Sequence, residues 1–112
     1  MGRLSTHVLD IAKGKPASGV AIELFRIDAS GQAERVASAR TNADGRTDQP
    51  LLEGAAFTPG IYELRFAVGA YFKGQDSPPF LDVVPVRFAM GEGHYHVPLL
   101  CSPWSYSTYR GS

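Results

Sequence analysis

The stretch IYELRFAV, residues 61–68, has the clearest strand pattern of the chain. Tyr62, Leu64 and Phe66 alternate with Glu63 and Arg65, and this two-residue period is typical of a half-buried β-strand. One face of the strand is therefore expected to face a core and the other to face water.

Similar runs lie on both sides of this stretch, separated by short segments rich in glycine, proline and asparagine. Pro85 falls inside one of them and predicts an edge strand or a bulge. Residues 69–76 have room for one short helix. Ser102 and Pro103 join the last two runs so tightly that these should form an antiparallel hairpin. We expect an all-β sandwich with strands in LSTHVLD (4–10), GVAIELFRID (19–28), RVASART (35–41), IYELRFAV (61–68), DVVPVRFAM (82–90), HYHVPLLC (94–101) and WSYSTY (104–109).

Size and charge limit the possible functions. A length of 112 residues suits a single domain over residues 1–112. Eleven basic side chains balance eleven acidic ones, which argues against nucleic acid as a partner. No apolar stretch approaches the roughly 20 residues of a membrane helix, so no membrane partner is expected. We expect a cytoplasmic protein, or a periplasmic or peroxisomal one if a targeting segment lies outside this sequence.

Alternation also predicts the direction of two histidines from opposite ends of the chain. Val97 suits the core, which turns His96 to the outer face of its sheet. Val8 suits the core in the same way, which turns Ser5 and His7 outward. His94 shares the parity of His96 and could also be a solvated neighbour.

Residue types alone leave other readings open. A histidine in a strand is more often a surface residue than a catalytic one, and His-x-His can be part of a zinc site, although no further ligand stands at suitable spacing. Arg46 follows a turn glycine and could be merely solvated. Cys101 has core parity and is expected to be a small buried apolar residue, and Trp104 is expected to pack.

Four stretches together resemble a known family: LSTHVLDIAKGKPASGVAIEL (4–24), TNADGR (41–46), FLDVVPVRF (80–88) and YHVPLLCSPWSYSTYRGS (95–112). They are similar to the transthyretin-like proteins that act as 5-hydroxyisourate hydrolases. Transthyretin itself, a hormone carrier, shares the fold and a similar last hairpin, but it lacks the paired histidines and the Tyr-Arg-Gly-Ser ending.

The resemblance implies a transthyretin-like sandwich of two four-stranded sheets with one short helix, assembled as a homotetramer that is a dimer of dimers. It implies hydrolysis of the cyclic amide of 5-hydroxyisourate, a purine-derived substrate from urate degradation, to 2-oxo-4-hydroxy-4-carboxy-5-ureidoimidazoline. No cofactor or metal is expected. The family's catalytic pattern carries over to His7, Arg46 and His96, and its substrate-binding pattern to Tyr109, Arg110, Gly111 and Ser112.

The roles that the resemblance implies fit the chemistry of these side chains. The histidine pair would activate water and return a proton, and Arg46 would stabilise developing negative charge. Tyr109 and Ser112 would donate hydrogen bonds to the substrate ring. Which histidine is the base stays open, and His94 is expected at the rim. Three alternatives also stay open: a transthyretin-like carrier that binds a small ligand without turnover, an interaction module, and a zinc protein.

Overall fold

A computed structural model describes residues 2–75 and 78–111. The elements follow one another as short strands with one α-helix, as the spacing of glycine and proline predicts. The strands are β1 (Arg3–Ser5), β2 (Val8–Asp10), β3 (Lys15–Pro16), β4 (Ala21–Ile27), β5 (Ala33–Arg40), β6 (Leu52–Glu53), β7 (Gly60–Ala67), β8 (Val83–Met90), β9 (Tyr95–His96), β10 (Leu99–Cys101) and β11 (Tyr106–Thr108), and the helices are a 3₁₀ turn (Gly54–Ala56) and α1 (Val68–Phe72).

The first layer of the sandwich is a four-stranded antiparallel sheet in the order β5-β4-β7-β8. The alternation predicted in residues 61–68 is confirmed, because Tyr62, Leu64 and Phe66 are almost fully buried. Pro85 lies in β8 at the edge of this sheet, as predicted. An edge strand tolerates proline because one side of it needs no ladder hydrogen bonds.

The second layer contains strands from both ends of the chain. It consists of a section β6-β1-β9 and a section β11-β10-β2-β3, in which β1 runs parallel to β9 and β2 parallel to β10. The backbone bonds from Val97 N–H to Ser5 O (3.0 Å) and from Leu99 N–H to His7 O (2.9 Å) join the two sections. The last two strands, β10 and β11, form the expected antiparallel hairpin.

The sequence predicts two uninterrupted strands, at 4–10 and 94–101. In the structure each is broken into two shorter strands, β1 and β2 at one end of the chain and β9 and β10 at the other. Pro98 lacks an N–H group and cannot continue the ladder. The buried Thr6 hydroxyl donates to the carbonyl of Val97 at 2.7 Å and satisfies it within the break. Pro98 is buried despite its outward parity.

Side chains of both layers form one apolar core, in which Leu4, Val8 and Leu99 meet Leu64 and other residues of the first sheet. The resulting architecture confirms the expected all-β sandwich with a short helix. Cys101 is fully buried, as predicted, but the prediction for Trp104 is wrong: this side chain is 56% exposed. Over residues 2–75 and 78–111, no helix is long and apolar enough to cross a membrane.

Candidate active site

The imidazoles of His7 and His96 stack on the outer face of the second layer. Their ring centroids are 5.7 Å apart and their planes differ by 24°. Both side chains are half-buried, whereas Val8 and Val97 beside them are buried in the core. The parallel pairing of the two end segments therefore brings together two histidines from opposite ends of the chain.

Arg46 reaches this pair because a tight turn ends beside His7. Asn42 O accepts from Gly45 N–H at 2.9 Å, and Gly45 has φ +76°, a conformation that favours glycine. A Cβ atom at Gly45 would lie 2.5 Å from the carbonyl oxygen of Val8. The close approach of the turn to Val8 thus requires glycine, and it sets Arg46 in a β-bridge with His7.

The C-terminal segment contacts His96 from the other side. Gly111 and His96 form an antiparallel β-bridge, in which Gly111 N–H donates to His96 O at 2.6 Å. A Cβ atom at Gly111 would lie 3.3 Å from both Cβ and Cδ2 of His96. His96 is therefore held on one side by the strand that carries Ser5 and on the other by the tail.

A pocket of about 350 Å³ opens in front of His96. Its lining, within the described part of the chain, carries two guanidinium groups and two imidazoles but no carboxylate. Such a pocket favours a substrate that is anionic or becomes anionic as it reacts. The lining residues are Arg3, Ser5, Arg46, His94, Tyr95 and His96.

Sequence reasoning assigned no role to several residues of this lining. Ser5 was predicted to face outward with His7 but was given no role, and Arg3 shares the same parity, so alternation is the signal that could have found both. His94 is exposed at the pocket, consistent with the rim position expected for it. Tyr95 had no signal, because its parity predicts the core and it is only half-buried.

Both histidines are poised to be neutral at neutral pH. Burial, and secondly the charge of Arg46, lowers the pKa of His7 below its usual 6.5. Burial also lowers the pKa of His96, followed by the effects of His7 and Arg46. A neutral imidazole can accept a proton, so the environment favours proton transfer to this pair.

Hydrogen bonding differs between the two rings. Nδ1 of His96 is 2.8 Å from the hydroxyl oxygen of Ser5. Nδ1 of His7 is buried and has no hydrogen-bond partner among the described residues. A charged His7 would bury an unpaired N–H group, which is unfavourable.

The tail residues Tyr109, Arg110 and Gly111, which were predicted to bind substrate, do not line this pocket. Tyr109 and Arg110 line a neighbouring groove of about 360 Å³ beside β8. Arg110 lies over the Tyr95 ring at 4.2 Å from its centroid and donates to the His94 carbonyl at 3.2 Å. Tyr95 lines both cavities, so Arg110 contacts a side chain of the histidine pocket without lining that pocket itself. Ser112 lies outside the described residues.

Two other chemistries find little support at this site. Across residues 2–75 and 78–111, no three His, Cys, Asp or Glu side chains are grouped so that they could share a metal ion. Burial, and secondly the nearby Asp10, raises the pKa of Cys101 to about 12, so its thiol is not a nucleophile at neutral pH.

The fold and the outward histidine pair define the class of protein: the chain belongs to the HIUase/Transthyretin family, which it matches over residues 4–111. It is 58% identical over 116 residues to a 5-hydroxyisourate hydrolase of Mesorhizobium japonicum, covering 99% of this chain and 93% of that protein. The structure of a Klebsiella pneumoniae 5-hydroxyisourate hydrolase superposes with a TM-score of 0.86 at 38% identity and covers both chains completely. Sea bream transthyretin in complex with thyroxine gives a TM-score of 0.90 at 36% identity, covering 97% of this chain and 94% of that chain.

Proposed function

We propose that this chain is a 5-hydroxyisourate hydrolase that opens the cyclic amide of its substrate in urate degradation. The observation that carries the proposal is the stacked pair His7 and His96 beside Arg46, in a family whose relatives carry this activity in their names. A carrier of an apolar ligand has no need to desolvate two imidazoles and a guanidinium.

The histidine pair supplies the base that water needs at neutral pH. The water oxygen forms a bond to the ring carbonyl carbon while one proton passes to an imidazole. The C–N bond of the ring then breaks, and the departing nitrogen takes a proton back from the site. The product carries a new carboxylate, and the reaction consumes only water and requires no cofactor.

Arg46 stabilises the negative charge that develops on the attacked carbonyl oxygen. Its guanidinium is always charged and presents a planar set of donors. Its β-bridge to His7 places Arg46 beside the histidine pair. The same positive charge helps to keep the imidazoles neutral and able to accept a proton.

Tyr109, Arg110, Gly111 and Ser112 complete the substrate pocket in this proposal, within a single domain over residues 1–112 that works as a homotetramer, a dimer of dimers. Exposed aromatic side chains support an assembly: Phe80 is 77% exposed, Trp104 56% and Tyr109 58%. Aromatic side chains are enriched at the interfaces between protein subunits. A cytoplasmic location stays a prediction.

Turnover by the purified chain tests the proposal. Freshly generated 5-hydroxyisourate decays spontaneously, and its ultraviolet absorbance should disappear faster when the protein is added. His96→Asn should bring the rate back toward the spontaneous decay while the far-ultraviolet circular dichroism spectrum is kept. Acceleration by His96→Asn equal to that of the parent would contradict the catalytic assignment, and no acceleration by the parent would contradict the activity.

A further inference from the structure

Ser5 is a polar residue of the pocket to which the reaction scheme assigns no step. It lies in β1 directly opposite His96 in the parallel pairing with β9. Its hydroxyl oxygen is 2.8 Å from Nδ1 of His96, and its carbonyl accepts from Val97 N–H at 3.0 Å. The strand pairing therefore fixes the distance between the hydroxyl and the imidazole.

The two ring nitrogens of a neutral histidine differ, since one carries the proton and the other can accept one. If Nδ1 of His96 carries the proton and donates a hydrogen bond to the Ser5 hydroxyl oxygen, Nε2 is unprotonated and can accept a proton. If Ser5 donates instead, Nε2 carries the proton and cannot act as a base. The direction of this one hydrogen bond thus decides whether His96 can take a proton from water.

The surroundings of the two imidazoles favour the first arrangement. When His96 becomes charged, its Nδ1–H still has the Ser5 oxygen as acceptor. When His7 becomes charged, its buried Nδ1–H has no acceptor among the described residues. Two adjacent imidazoles beside Arg46 will take up one additional proton far more readily than two. The proton taken from water therefore goes to the ring whose N–H groups have hydrogen-bond acceptors.

We propose that Ser5 is a positioning residue whose hydroxyl accepts a hydrogen bond from Nδ1 of His96 and so leaves Nε2 of His96 as the proton acceptor of the reaction. This inference rests on the proposed hydrolase function. It assigns the base role to His96 and leaves His7 as the neutral partner that stacks against it.

Kinetics of Ser5→Ala and Ser5→Thr test the role. Ser5→Ala removes one neutral hydrogen bond, so kcat should fall about three- to tenfold with little change in KM. Ser5→Thr keeps a hydroxyl on the same strand and should recover most of kcat. Ser38→Ala is the matched control, because Ser38 is an exposed serine in β5 of the other sheet.

The pH profile separates positioning from a general structural effect. The charged and titratable groups around His96 are His7, Arg46, Arg3, His94 and Tyr95, with Arg110 stacked on Tyr95. None of them is altered by Ser5→Ala. Because the hydroxyl oxygen favours the protonated ring, its removal should move the acid limb of kcat/KM to lower pH. A folded Ser5→Ala variant with the parent kcat and the parent pH profile would overturn the inference.

Nitrogen NMR of the labelled full chain gives a test that needs no variant and no turnover. At neutral pH, Nδ1 of His96 should be protonated and Nε2 unprotonated. The opposite tautomer in the parent protein would overturn the inference, even if Ser5→Ala failed to fold. Failure of the parent to hydrolyse 5-hydroxyisourate would instead refute the hydrolase function, while the tautomer would still decide the direction of the Ser5 hydrogen bond.

Discussion

Substitution of Gly111 by alanine should impair catalysis by displacing His96. The added Cβ atom would lie 3.3 Å from Cβ and Cδ2 of His96 and 3.4 Å from its carbonyl oxygen. Carbon atoms pack best at about 3.5–4.0 Å, so the imidazole or the tail must move by roughly 0.2–0.7 Å. A misplacement of about 1 Å in a catalytic site costs around a hundredfold in rate, and this smaller shift should lower kcat about three- to tenfold.

Steady-state hydrolysis of 5-hydroxyisourate measures the effect, and the division between kcat and KM identifies its cause. A displaced base lowers kcat, whereas a lost substrate contact raises KM. Gly91→Ala is the matched control, because Gly91 has no positive φ and its added Cβ would meet the Tyr95 hydroxyl at an ordinary 3.5 Å. The thermal unfolding midpoint should change little in either variant, because neither added methyl enters the core.

Two results would contradict a role of Gly111 in setting the position of His96. One is a Gly111→Ala variant with the kcat of the parent, since the contact would then not set the position of His96. The other is an equal loss of kcat in Gly91→Ala, since the effect would then come from adding a methyl group anywhere near the pocket.

Three further predictions concern charge and stability. Arg46→Ala should lower kcat by about a hundred- to a thousandfold, because one donor to developing charge contributes about 2.7–4 kcal/mol; unchanged circular dichroism would show that the fold is kept. Burial lowers the pKa of both His7 and His96, so they stay neutral to more acidic pH than free histidine. The acid limb of kcat/KM, measured in a buffer series, should therefore have its midpoint below pH 6.5. A midpoint above pH 6.5 would contradict the lowered pKa of the two histidines. Tyr71→Phe removes the hydroxyl that donates to the fully buried Asp10 carboxylate at 2.8 Å, which should reduce the free energy of unfolding in urea by about 1.5–3 kcal/mol; no change would mean that water replaces this bond.

Local alternation was enough to predict the four strands of the first sheet and the direction of the two histidines. In β7 the buried residues Tyr62, Leu64 and Phe66 stand at every second position, so periodicity and packing agree. The outward faces of His7 and His96 followed from the same two-residue rule applied to their apolar neighbours. These features depend only on which face of a strand meets the core.

The periodicity of the strands could not predict which residues meet at the candidate active site. Arg46 reaches His7 through a turn whose approach to Val8 is a long-range contact, and its position was expected only from the family resemblance. The direction of the Arg110 side chain could not be predicted for a similar reason. Its guanidinium lies over the Tyr95 ring, a choice that depends on contacts between segments and not on the local pattern.

The pairing of the two end segments couples catalytic competence to the completion of folding. Ser5 and His96 are 91 positions apart, so their strands meet only after a loop of that length has closed. Contacts of such high sequence separation are slow to form. Recovery of turnover during refolding should therefore lag behind the formation of the β4-β7-β8 ladder, and an intermediate with only that ladder should be inert.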